Sequence, residues 1–243
     1  MKKILLALIM IGLFLTGCEK NDDKIVNKHE DAWGDVIVKK MNMMGQTKYT
    51  LMIFAGGEGI VAGGSTVTTP NGDVYNFETF WAGEGMLRSM EAPVQNTYPA
   101  TGEYVFRLKF NDGEEVTVKD VVENRDVDVP RITMVYDSIN QTIDLSWQPI
   151  NNCDLICIKM TDLNMAASKP YYKVPQLPAN TTHHTIHIDG SNGWLRPVSE
   201  LQDGTEYWVV VSAKTVEQGT EVSGASHDFQ TNACNKVKVR YAE

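Results

Sequence analysis

Four groups of side chains in this 243-residue chain have types and spacings that could do chemistry. His183, His184 and His187 could hold zinc if a helix put His183 and His187 on one face. The surrounding Thr/Ile pattern reads as a strand instead. At a rise of about 3.3 Å per residue the outer two histidines then sit about 13 Å apart, and His184 points to the opposite face. Met41, Met43 and Met44 offer soft thioethers of the kind copper(I) accepts, but eleven Met spread through strand-like segments favour core filling and a greasy turn. Ser226-His227-Asp228 has the residue types of a nucleophilic triad, yet neighbours on a strand diverge whereas triad partners must converge. Gly57-Glu58-Gly59-Ile60-Val61-Ala62 has glycines spaced to cradle a pyrophosphate, but Gly63 to Pro70 is rich in Gly and β-branched residues and cannot open the helix that such a site needs. No metal, cofactor or catalytic centre is expected from these groups, and the chain reads as non-enzymatic.

Thiols and loop aromatics carry the remaining chemistry. Cys153 and Cys157 are four residues apart around a strand start and, if both are extended, cannot bridge each other. Cys157 has the parity opposite to Ile156, Ile158 and Met160, and Cys234 follows the expected last strand. Outside the cytoplasm a Cys157–Cys234 bridge that ties down the C-terminal tail is open, as are a Cys153–Cys234 bridge and no bridge at all. Trp194 lies in the turn-rich stretch Asp189 to Trp194, and Tyr171-Tyr172 stands between Pro170 and Pro175. Exposed rings there could stack on sugars or anchor a protein partner, and the alternative is that they cap the end of a sandwich. Trp33, Trp81 and Trp208 are expected in a core or interface.

The first residues read as an address. Lys2 and Lys3 form a positive n-region, and Ile4 to Leu15 is an apolar run too short for the ~20 residues of a membrane span. The run ends Leu15-Thr16-Gly17-Cys18, which resembles the lipobox of bacterial lipoproteins. That resemblance implies a signal peptide over 1–17, lipidation of Cys18 and a lipid anchor in the outer membrane. The polar stretch from Glu19 to Lys24 reads as part of a flexible tether over 18–31. Acidic residues behind the lipidated Cys resemble the surface-export signals of some Gram-negative lineages, so an outer-membrane location, most often with the chain facing outward, is expected.

Beyond the tether alternation dominates, and no segment keeps a 3.6-residue apolar period for three turns. Asp35 to Met41 and Tyr49 to Ala55 are strand-like, Pro70-Asn71-Gly72-Asp73 is a hairpin signal, and Tyr104, Phe106, Leu108 and Phe110 share one face. Asn111-Asp112-Gly113 turns that strand back. An Ig-like sandwich over 32–129 fits. The charged stretch Glu123 to Asp128, then Pro130, marks a boundary. In the second half Ile143, Leu145 and Trp147 alternate, and Leu201 precedes Tyr207 at the spacing of a tyrosine corner, with Val209, Val211 and Ala213 on the parity of Tyr207. These motifs resemble a fibronectin type III domain over 130–243, with Asn235 to Glu243 as an added tail. The expected fold is therefore all-β, two tandem β-sandwiches.

Lys and Arg number 22 against 31 Asp and Glu, a net charge of −9 that becomes −11 when the signal with Lys2 and Lys3 is removed. Such a chain lacks the basic balance of a nucleic-acid binder. The resemblances imply a cell-surface binding or adhesion module for a glycan or protein partner, with Trp194, Tyr171 and Tyr172 as candidate contacts. The alternative is a structural accessory or spacer subunit of an outer-membrane or surface-fibre assembly.

Overall fold

The computed structural model describes residues 29–80, 85–163, 169–220, 222 and 228–242. The signal, Cys18, Trp81, Met165 and the pair Ser226-His227 lie outside the described residues. Asp31–Glu243 form one compact unit.

The first half contributes β1 (Trp33–Met43), β2 (Gln46–Gly56), β3 (Ile60–Thr68), β4 (Val74–Asn76), β5 (Glu78–Thr79), β6 (Met86–Ser89), β7 (Gly102–Phe110) and β8 (Glu115–Val122). The second contributes β9 (Thr133–Asp137), β10 (Thr142–Ser146), β11 (Leu155–Asp162), β12 (Tyr172–Pro178), β13 (His183–His187), β14 (Glu206–Val216) and β15 (Phe229–Arg240). Turn chemistry sets the hairpins as expected. Gly72 and Gly113 adopt φ of +88°, which closes β3–β4 and β7–β8. Gly57-Glu58-Gly59 is the short turn between β2 and β3, with strand on both sides.

The all-β expectation holds. In the first half, β4-β3-β7-β8 faces β1-β2-β6-β5, and Val36, Val38, Ile53, Tyr104, Phe106 and Leu108 fill the space between with no exposed surface. In the second, β13-β10-β9 faces β12-β11-β14-β15 over a core that includes Ile143, Leu145, Ile158, Met160, Val209 and Val211. That is the strand arrangement of a fibronectin type III-like sandwich. Its tyrosine corner is present: the Tyr207 hydroxyl accepts from the Gln202 N–H at 2.9 Å, with Tyr207 and Leu201 both buried. A second such corner closes the first sandwich, where the Tyr104 hydroxyl donates to the Ala100 carbonyl at 2.9 Å.

The two sandwiches share a wall. β1 pairs in parallel with β15, Val38 opposite Thr231 through Met41 opposite Cys234, so one eight-stranded sheet runs in the order β12-β11-β14-β15-β1-β2-β6-β5. Asn235 to Arg240, expected as a tail, is the second half of β15 and pairs with β14 down to Glu206. Val237 and Val239 pack into the core on the alternation that a strand requires.

The boundary segment is also built in. Val127 is buried against Ala213 and Ala233. Lys40 on β1 bonds to the Asp126 carboxylate at 2.8 Å and the Val127 carbonyl at 3.0 Å. Gln230 on β15 accepts from the Glu123 N–H at 2.6 Å and donates to the Val121 carbonyl at 2.8 Å. Arg125 reaches both the Val216 carbonyl and the Asp154 carboxylate. With these bonds, the stretch from Glu123 to Pro130 is a packed seam rather than an open linker.

Candidate functional site

The loop aromatics proposed from sequence close the end of the second sandwich. Tyr171 and Tyr172 are 6% and 4% exposed. The Tyr171 ring meets Tyr207 edge-on at 5.2 Å and carries the Arg196 guanidinium 3.7 Å above it. Tyr172 bonds through its hydroxyl to His184 Nε2 at 2.8 Å and packs edge-on against Trp194 at 5.5 Å. Trp194 is half-buried, and its Nε1 donates to the His187 carbonyl at 2.8 Å. Gly193 makes this packing accessible: φ is +96°, and a Cβ there would lie 2.5 Å from the Tyr172 ring. The two tyrosines therefore have no open face for a sugar, and they belong to the core.

Of the three alternatives for the thiols, the structure carries the unbridged one. Cys153, Cys157 and Cys234 are all free. Cys157 and Cys234 share a face but flank Ser212 on β14 from opposite sides. Two strand spacings make about 9.6 Å, beyond the roughly 7 Å that a disulfide spans. Cys157 donates instead to the Pro175 carbonyl at 2.6 Å. Burial pushes all three thiols up, Cys153 to about 11.

The histidines lie on β13 as the Thr/Ile alternation implies. His184 pairs across from Leu145, and burial lowers its pKa, followed by the neighbouring His183 and His187. Met41 and Met43 lie at the end of β1, and Met44 with Gly45 makes the β1–β2 turn, Met44 fully exposed at a φ of +53°.

A surface that sequence reasoning missed lies on the outer face of the shared sheet. Trp208, Val210, Ser212 and Lys214 on β14 have the parity opposite to the core residues Tyr207, Val209, Val211 and Ala213. Their register partners are Lys238, Lys236, Cys234 and Asn232 on β15, and Thr161, Lys159, Cys157 and Leu155 on β11. Lys39 on β1 and Lys173 on β12 extend the same face on either side. Six lysines thus gather on one surface of an acidic chain. Lys159 and Lys173 stand directly opposite each other, a pairing of like charges that destabilises a sheet. Burial, then repulsion from the other lysines, holds Lys159 and Lys214 below the usual ammonium range. Trp208 sits among them, with Lys236 4.1 Å and Lys238 5.4 Å from its ring centroid. Trp208 was expected in a core or interface, and so was Trp33. Trp208 instead stands on the outer face, and Trp33 is 39% exposed. The signal for Trp208 was its parity, opposite to Tyr207.

Against this lysine group stands an acidic one at the seam. Asp35, Asp120 and Glu217 place carboxylate oxygens within 4.8 Å of one another. An arrangement of ammonium groups around a flat aromatic can bind anions and stack a ring. It has neither a nucleophile with a base nor an activated thiol.

No protein-family model matches the chain, and a search of the curated proteins finds no match. Among solved structures the chain is similar to the crystal structure of chicken CNTN1 FN1-FN3 domains, at 14% identity, over 85% of this chain and 64% of that one, with a TM-score of 0.29. The match spans less than two thirds of that chain, and the fold stands on the strands and cores described above.

Proposed function

We propose that this chain is a non-enzymatic lipoprotein of the outer membrane, tethered through Cys18, whose two fused sandwiches act as one rigid binding arm. Its ligand is an acidic glycan, taken up on the lysine face around Trp208. One observation carries this reading: six lysines, two of them register-paired, crowd one face of a chain whose net charge is −9. Lys238 is paired with Glu206 on the same face at 2.7 Å, while the register-paired Lys159 and Lys173 crowd like charges at a cost in folding free energy that an anionic ligand would offset. Trp208 adds a flat apolar surface of the kind that stacks on sugar rings.

The test uses the purified full chain in detergent with polygalacturonate as the anionic probe and dextran as the neutral one. Binding to polygalacturonate alone, lost in Lys173→Glu/Lys236→Glu and weakened in Trp208→Ala, supports the reading. Equal binding to dextran, or binding unchanged in the charge-reversed variant, overturns it. The continuous sheet also favours a second reading, a structural spacer in a larger envelope assembly. That reading expects co-purification with a membrane partner and no binding to either polysaccharide.

A further inference from the structure

The acidic group lies where the two halves of the molecule join. Asp35 is on β1 and Asp120 on β8, both in the first sandwich, and Glu217 follows β14 in the second. Asp120 accepts the Val36 N–H and the Val121 N–H, each at 2.7 Å, and shares a hydrogen bond with Glu217. Glu217 also accepts from Gln230 Nε2 at 3.3 Å. Asp35 Oδ1 is buried with no hydrogen-bond partner. Asp228, just ahead of β15, adds a further carboxylate facing the group, and Lys214 on β14 is the cation that faces Asp35.

A carboxyl–carboxylate hydrogen bond exists only while one member of the pair keeps its proton. Three ionised carboxylates this close repel one another. We propose that the seam between the sandwiches is a proton-operated joint, closed while the Asp35–Asp120–Glu217 group shares protons and loosened once all three are ionised. Glu217 then leaves Asp120, and Gln230, which bonds both Glu217 and the Glu123 N–H across the seam, is drawn away with it.

The working range follows from the surroundings. Burial, then the Asp120 charge, raises Asp35 to about 7, and burial likewise raises the Asp120–Glu217 pair. A carboxyl whose pKa is higher folded than unfolded holds a proton that the unfolded chain releases. Its contribution is complete below the unfolded value near 4 and is lost as pH rises through about 7. The joint is therefore tight in mild acid and slack above neutrality. It stands independently of the glycan reading.

Hydrogen exchange on the full chain in detergent, with EDTA present and rates corrected for intrinsic pH dependence, tests the joint at pH 5.5 and 8.5. The Glu123 amide, which bonds across the seam to Gln230 beside Glu217, is expected to exchange at least about tenfold faster at pH 8.5, with core amides on β7 unchanged, and the thermal midpoint is expected to fall over the same range. Asp35→Asn and Glu217→Gln each flatten the profile. Equal exchange at both pH values in the unaltered chain overturns the proposal by itself, whatever the variants do. So does a pH profile that survives both substitutions.

Discussion

Replacing Lys40 with Met tests how firmly the seam welds the two halves. The Lys40 side chain is 9% exposed and bridges β1 to the boundary segment through Asp126 and the Val127 carbonyl, while Asp126 is 42% exposed. Met keeps the apolar stem and removes the charge and both bonds. Breaking a buried ion pair from one side costs about 3–5 kcal/mol. Water at Asp126 screens part of the charge left behind, which brings the expected loss to about 2 kcal/mol. For a chain of this size that lowers the midpoint by about 4–8 °C. Urea denaturation followed by tryptophan fluorescence, with far-UV circular dichroism in parallel, gives the number. The two probes should coincide in one transition, because the shared sheet couples both cores. Lys40→Met/Asp126→Asn should recover about half the loss by removing the stranded carboxylate. A neutral Lys40→Met, or losses that simply add in the double variant, would refute the weld.

Other substitutions follow from the same packing. Tyr207→Phe strips the acceptor from the Gln202 N–H and should cost about 1–2 kcal/mol in urea denaturation. No loss would show that the corner is ornamental. Trp194→Ala should lower stability by about 1–3 kcal/mol through its lost contact with Tyr172, while polygalacturonate binding stays intact. Lost binding at unchanged stability would restore Trp194 as a ligand contact. Alkylation after denaturation without reductant should label Cys153, Cys157 and Cys234 alike, and a linked Cys157–Cys234 peptide would contradict the strand geometry.

Much of each sandwich could be read locally. Tyr104 to Phe110 alternates without interruption, Asn111-Asp112-Gly113 turns it back, and the Leu201-to-Tyr207 spacing marks the corner, because each of these signals sits within a few residues. The pairing of β1 with β15 was not legible, since it joins residues nearly 200 positions apart and leaves no local pattern. Asn235 to Arg240 did carry alternation, with Val237 and Val239 facing in and Lys236 and Lys238 facing out. Its position past the expected last strand hid that. Tyr171 and Tyr172 misled for a different reason. Turn residues and prolines around a ring signal a loop, but Tyr172 opens strand β12 opposite Met160 and Tyr171 stands just before it, so both rings are held at the end of the sandwich, where apolar area must be covered. The lysine face and the carboxyl group each assemble from separate strands, so neither forms a motif in the chain.

Binding of polygalacturonate as a function of salt tests the lysine face most directly. Contact with several ammonium groups predicts an affinity that falls steeply and linearly in log–log form as salt rises, with the slope reduced by about one for each of Lys173→Gln and Lys236→Gln. A flat salt dependence, or a slope that neither substitution moves, would contradict it.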